Sequence, residues 1–276
     1  MFLKLALTSW LVTTAANAQI PAADAEFAAG MSADEKGDAK AALQHLQQAV
    51  LLDPKMIEAH FAIGRIADDW NEVDSELRDL AIREYKKVLE VDPSRADALK
   101  NLANDLYWAS ERNESETYYR RGLALRENDP ELICGIAAIT AYRSWSDVAQ
   151  TKAGVNLPRE TPLIQSPSCD AARDRNLARV DEAIALLKRA LQVHNGSELM
   201  SFLGMLHTVR AEIQCRDRRA YKMEKKAAST WGRMSEETWQ RKADGEILPK
   251  CPPGPPPPPH RHRLFNLLPH NAAAAP

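Results

Sequence analysis

Little in this sequence points to chemistry. It holds no glycine-rich phosphate loop, no GxSxG elbow and no HExxH pair, so the patterns that cradle a phosphate, expose a serine nucleophile or seat a catalytic zinc are missing. No catalytic residue, cofactor or metal is expected, and a small-molecule ligand is not favoured. Aromatic residues are 6% of the 276 positions, and strict polar/apolar alternation is nearly absent, which excludes a β-rich core. Charge of one sign is lacking: 36 Lys+Arg against 38 Asp+Glu leave a formal net charge of −2. No basic stripe is visible along the chain, and nucleic acid is not an expected partner. Cysteine is scarce, with Cys134, Cys169, Cys215 and Cys251 the only four. None forms a CxxC pair, so neither a zinc ribbon nor a thioredoxin-like site has support from spacing.

What is present favours helix: Ala, Leu, Glu, Lys and Arg dominate, the residues with the best helix propensities. The first residues, MFLKLALTSWLVTTAANAQI, have a single cation at Lys4, an apolar run from Leu5 to Ala15, and a small-x-small site at Ala16-Asn17-Ala18. This is the layout of a secretory signal peptide, with cleavage expected after Ala18. The apolar run is too short to span a bilayer comfortably, and no later segment is apolar enough. The expectation is an exported, periplasmic or secreted protein without a membrane span. In an oxidising compartment, four cysteines imply two disulfides, with three connectivities open.

Three segments align on sight: AALQHLQQAVLLDP, LAIREYKKVLEVDP and SETYYRRGLALREND. The first two stop at Asp-Pro, where proline forbids continuation of a helix. Upstream of each lies a second helix with a small residue at a fixed place: Gly30, Gly64 and Ala103, with Ala137 following. Gly30 to Gly64 is a step of 34, as is Ala103 to Ala137, whereas Gly64 to Ala103 is 39 and carries a five-residue insertion. The pattern resembles the tetratricopeptide repeat family, whose 34-residue helix–turn–helix follows W-x2-L-G-x2-Y, A-x3-F and P. Gly30, Ala42, Leu46, Ala49 and Pro54 match in residues 23–56; Ile63, Gly64, Ala81, Tyr85, Val88 and Pro93 match in 57–95; Leu102, Ala103, Leu106, Ser115, Tyr119 and Gly122 match in 96–129. The family's tryptophan is replaced by Glu26, His60 and Leu99.

The resemblance implies an all-α right-handed solenoid over residues 19–244. A degenerate fourth repeat spans 130–196 with a loop insertion near 146–172, and final helices fill 197–244, one from about Asp217 to Arg233 and a shorter one to Ala243. It also implies an adaptor that binds protein or peptide in the groove lined by the first helix of each repeat. The groove positions that stand out are Phe61, Arg65, Lys100, Asn104, Tyr107 and Trp108, with Glu58, Asp68, Asp69 and Asp97 beside them. Lys100 and Asn104 share one helix face and resemble part of the clamp that some family members close on a partner's C-terminal carboxylate. Arg65 is a further candidate cation, while Cys134 occupies the corresponding place in the fourth repeat. Laid on the family's stacking, the helix ends imply the pairs Cys169–Cys215 and Cys134–Cys251. The alternatives are a structural scaffold of the cell envelope with no defined peptide ligand and, less favoured, an enzyme or metal carrier using the thiols or the tail histidines.

Two N-x-S/T sequons, at Asn113 and Asn195, fall at expected turns. Residues 245–276, which include KCPPGPPPPPHRHR, read as a stiff proline-rich disordered tail. Its histidines, His260, His262 and His270, lack the rigid surroundings that a catalytic site needs. A Cys134–Cys251 bond would start the proline run from a fixed point, from which the tail could shield the groove.

Overall fold

The computed structural model describes residues 21–69, 75–241 and 251–252. The expected signal peptide, the segment 70–74 and the tail other than Cys251 and Pro252 lie outside the described residues. Within them every regular element is helical. Two compact units divide near residue 125.

Among the described residues the first unit contains six helices in three hairpins: α1 (21–35) with α2 (Ala39–Leu52), α3 (Ile57–Asp69) with α4 (Ser75–Val91), and α5 (Ala96–Trp108) with α6 (Arg112–Leu125). The second helix of each hairpin buries the same register: Ala42, Leu46 and Ala49 in α2, Ala81, Tyr85 and Val88 in α4, Ser115, Tyr119 and Gly122 in α6. Each large apolar side chain removed from water in this way contributes about 1.5–3 kcal/mol. The small residues of the first helices explain how closely the partners lie. A Cβ on Gly30 would sit 2.7 Å from Leu46 Cγ, and one on Gly64 would sit 2.8 Å from the Tyr85 ring. Leu102, Leu99 and Leu106 of α5 then close on Tyr85 and Val88, so the second hairpin is covered by the third.

The Asp-Pro stops work through the aspartate as well as the proline. Asp53 accepts from Lys55 N at 3.0 Å, and Asp92 accepts from Ser94 N at 3.0 Å. Both are Asx-type turns that lead the chain into the next helix. At the third stop, Asp129 acts differently: it caps α7, accepting from Glu131 N and Leu132 N with Pro130 in the first helical turn.

The second unit holds α7 (Pro130–Gly154), a 3-10 turn (Leu163–Gln165), α8 (Cys169–Ala190), α9 (Ser197–Glu212) and α10 (Arg218–Arg241). Two sequence expectations differ from this arrangement. The first helix runs on to Gly154, so the connecting segment is 155–168 rather than 146–172. No proline or glycine interrupts residues 143–153, and Ser144, Val148 and Lys152, four apart, bury one continued face. Likewise α10 is one helix to Arg241 rather than two, held where a break was expected by Ser235 Oγ donating to Ser197 O (2.7 Å) and by buried Thr238.

The 155–168 segment is tied down by an ion pair. Lys152, 5% exposed, meets Glu212 of α9 at 2.9 Å and donates to Arg159 O at 3.0 Å; Glu212 also accepts from Leu163 N at 2.9 Å. Cys169, at the start of α8, is bonded to Cys215, beyond the end of α9, and Cys134 of α7 to Cys251, with Cα–Cα distances of 5.5 and 5.4 Å. Cys134 is fully buried.

A third difference concerns charge. Residues 218–233 of α10 gather Arg218, Arg219, Lys222, Lys225, Lys226 and Arg233 on one exposed arc, although no basic stripe is evident in the linear sequence. The cations are interleaved with Tyr221, Glu224, Ala228 and Trp231, which lie on the less exposed side of the helix. Only the helical period of 3.6 separates the two sets.

Candidate functional site

The residues singled out from the sequence lie on α3 and α5, the first helices of the second and third hairpins. Each was placed by local geometry, and the structure commits several of them to neighbours.

Arg65 forms an ion pair with Asp34 of α1 and a longer one with Asp69, at 3.4 Å, on its own helix. It therefore links two first helices and spends its charge on two carboxylates. Asn104 accepts from the Tyr119 hydroxyl at 2.5 Å, and Asn101, one turn earlier, donates to the Tyr85 hydroxyl at 3.1 Å. These two amides hold the buried tyrosines of the second helices. Burial pushes the Tyr85 hydroxyl well above its ordinary range, so it remains protonated. Lys100 is half-buried, one turn before Asn104. With Arg65 neutralised and the Asn104 oxygen turned to Tyr119, the clamp-like set of Lys100, Asn104 and Arg65 does not converge on an open anion site.

Phe61 is half-buried rather than open. Its ring lies 5.8 Å from that of Tyr85, and the Arg95 guanidinium covers it at 4.2 Å. Arg95 also forms two hydrogen bonds to Glu58, at 2.7 and 2.8 Å. That bond holds the Glu58 carboxyl below the usual carboxylate range and raises the guanidinium. Arg95, the residue before α5, was not picked out from the sequence. Its position after Asp-Pro-Ser carries no apolar pattern, and only the stacking of α5 on α3 puts it over Phe61.

Tyr107 and Trp108 end α5. The helix stops there because Ser110 adopts a left-handed conformation (φ 68°), with Glu111 N donating to Leu106 O at 2.8 Å. Tyr107, expected at the groove surface, is 6% exposed, with the Arg112 guanidinium 5.8 Å from its ring. Trp108 is 54% exposed and rests edge-on against Tyr107, 6.1 Å between centroids. The buried ring thus supports the exposed one, and a rigidly backed indole is an effective anchor.

Charge along this face is unequal. The groove positions of α1, α3 and α5 carry Asp24, Asp34, Glu35, Glu58, Asp68, Asp69 and Asp97 against Arg65 and Lys100, so carboxylates remain in excess even with Arg65 on Asp34 and Asp69 and Arg95 on Glu58. Among the described residues, no group of three His, Cys, Asp or Glu is placed to hold a metal ion, and no helix is long and apolar enough to cross a membrane. The tail histidines lie outside these residues.

Sequence reasoning also missed two interhelical pairs at the place of the family tryptophan. In the first hairpin Glu26 of α1 meets His45 of α2 at 2.7 Å; in the second His60 of α3 meets Glu84 of α4 at 2.5 Å. Their separations are 19 and 24 residues, equal once the five-residue insertion is removed, with donor and acceptor helices exchanged. The available signal was this 19-residue recurrence of Glu and His in opposite order.

Comparison with known proteins places the fold. The Tetratricopeptide repeat family model matches residues 23–56. A crystal structure of MamA protein superposes with a TM-score of 0.53 at 17% identity, covering 82% of this chain and 96% of that one. YrrB, described as a TPR protein with an unusual peptide-binding site, superposes with a TM-score of 0.53 at 15% identity, covering 79% and 86%. At these identities the likeness is one of fold. No match was found among curated proteins. The architecture is thus the all-α tetratricopeptide-repeat solenoid.

Proposed function

We propose, from a chain that carries the tetratricopeptide-repeat fold, that it acts as an exported adaptor holding a segment of another protein on the α1–α3–α5 face. The observation that carries this reading is Trp108. A large apolar ring is left half in water at the end of a first helix and is braced by Tyr107 from beneath; such aromatic anchors dominate binding energy at interfaces. The partner is a protein segment, because this face offers an open surface rather than an enclosed pocket. The excess of carboxylates favours a segment rich in Lys and Arg, through complementarity of charge. A cation of that segment fits beside the exposed Trp108 ring. This replaces the carboxylate-clamp expectation for Lys100 and Asn104. Export is supported by the signal-peptide pattern and by the two cysteine pairs, which persist in an oxidising compartment.

The test uses fluorescence anisotropy with labelled peptides of matched length and cationic, neutral or acidic composition. Cationic peptides are expected to bind best, and Trp108→Ala to weaken them about tenfold or more, the usual loss at an anchor. Equal binding of all three compositions, or an unchanged affinity in the Trp108 variant, overturns the reading. The mass of protein recovered outside the cytoplasm tests export separately, with a new N-terminus at Gln19 expected.

A further inference from the structure

We infer that the exposed face of α10 is a peripheral docking surface for an anionic phospholipid bilayer. The argument begins with the arc of cations. Arg218, Arg219, Lys222, Lys225 and Lys226 are all exposed and fall within nine residues, about 12 Å of helix. Arg219, Lys222, Lys225 and Lys226 have no salt bridge to any described acid, whereas cations such as Lys86, Arg95, Arg175 and Arg210 are each paired with one. Glu224, the acid that stands among them, is turned away. It receives the His207 ring at 2.6 Å and Arg210 at 2.8 Å, both on α9. The acid nearest the arc therefore points its charge to α9 and leaves the exposed face cationic.

The shape selects among anions. The arc lies on the outer side of α10, whose other side packs on α9 through Ala228, Gly232 and Thr238. It is an open surface on which Arg218, Arg219, Lys222, Met223 and Lys226 border a shallow depression of about 420 Å³, with Met223, 62% exposed, and the lysine stems as its apolar part. All five lining residues come from one helix, so the depression has no facing wall to enclose a peptide or a base, and an open face of flexible lysines suits a broad, flat array of headgroups. Clusters of four to eight Lys/Arg on one helix are the usual electrostatic attachment to anionic leaflets. The apolar side of α10 is used within the protein, so the contact is electrostatic and superficial rather than an insertion. It does not depend on the reading of the α1–α3–α5 face.

The experiment is co-sedimentation of the full chain, recovered after export and with its disulfides intact, with vesicles of phosphatidylcholine alone or with roughly one third phosphatidylglycerol. Binding is expected only to the anionic vesicles and is expected to fall as salt is raised through the physiological range. The triple variant Lys222→Glu, Lys225→Glu, Lys226→Glu is expected to bind at least about tenfold more weakly, whereas Lys→Arg at the same three positions keeps the binding. If charge reversal lowers the helical circular dichroism, the Lys→Gln triple variant takes its place. Unchanged binding in the variants, equal binding to neutral vesicles, or no binding to either overturns the proposal. Binding to polyglutamate or DNA without binding to vesicles also overturns it and assigns the face to a soluble polyanion.

Discussion

The His60 ring of α3 and the Glu84 carboxylate of α4 lie 2.5 Å apart, both about 5% exposed, and form the polar centre of the second hairpin. His60 also lies 3.1 Å from Pro54 O, and Lys87 donates to Glu84 at 2.9 Å. The hydrogen bond to Glu84 raises the His60 pKa above its ordinary 6.5. Burial pushes Glu84 up, but the bonds from His60 and Lys87 outweigh it and hold the carboxyl below its ordinary 4.5.

The signs of these shifts define a pH window. The His60 contribution is full below 6.5 and is lost as pH rises through its raised folded value; the Glu84 contribution is present above 4.5 and is lost as pH falls through its lowered one. His60→Gln should therefore destabilise by about 1–3 kcal/mol between these values, and the difference from wild type should shrink at higher pH. Urea midpoints measured across pH check this; a difference independent of pH refutes it.

Gly64→Ala should destabilise more than Gly30→Ala. The added methyl at 64 meets three atoms of a fully buried, rigid aromatic ring, whereas at 30 it meets Cγ and Cδ2 of Leu46, an equally buried but rotatable aliphatic chain. Overpacking of this kind costs about 1–3 kcal/mol. Thermal melting of the two variants tests the order, and a Gly64→Ala protein as stable as wild type contradicts it.

Lys152→Ala should be costly, because it strands Glu212 in the interior. Removing one partner of a buried pair costs about 3–5 kcal/mol. The double variant Lys152→Ala, Glu212→Ala should recover part of that loss. Chemical denaturation of the three variants reads it out, together with faster limited proteolysis within 155–168. A double variant worse than the sum of the singles rules out this account.

Peptide mapping without reductant should recover Cys169 with Cys215 and Cys134 with Cys251, and no other pairing. Separations of 46 and 117 residues give about 4 and about 5 kcal/mol in the chain-entropy treatment. Reduction should accordingly lower the unfolding midpoint, and by less in Cys169→Ser, which has one disulfide left to lose, than in the unsubstituted protein.

Much of the fold is legible because it is local. The Gly/Ala steps, the Asp-Pro stops and the three-or-four spacing of Ala42, Leu46 and Ala49 are all properties of near neighbours. A hairpin cannot bury its face alone, so the repetition itself predicts stacking. The end of α7 was not legible, since prolines at 158, 162 and 167 mark a loop without fixing where it begins. Its limit is set by Lys152, which continues the helix to reach Glu212, 60 positions away.

Sequence by itself determined where the paired helices of the first unit fall, where their small residues lie and which positions of the first helices the repeat pattern assigns to one face. Tertiary structure decided what those positions are still able to do. Arg65 was spent on Asp34, Asn104 on Tyr119 and Phe61 on Arg95, while Trp108 was left to solvent. The reason is that hydropathy repeats over three or four residues, whereas a salt bridge or a ring contact depends on a partner 15 to 34 positions distant. Such a partner becomes a neighbour only after one helix has packed on the next.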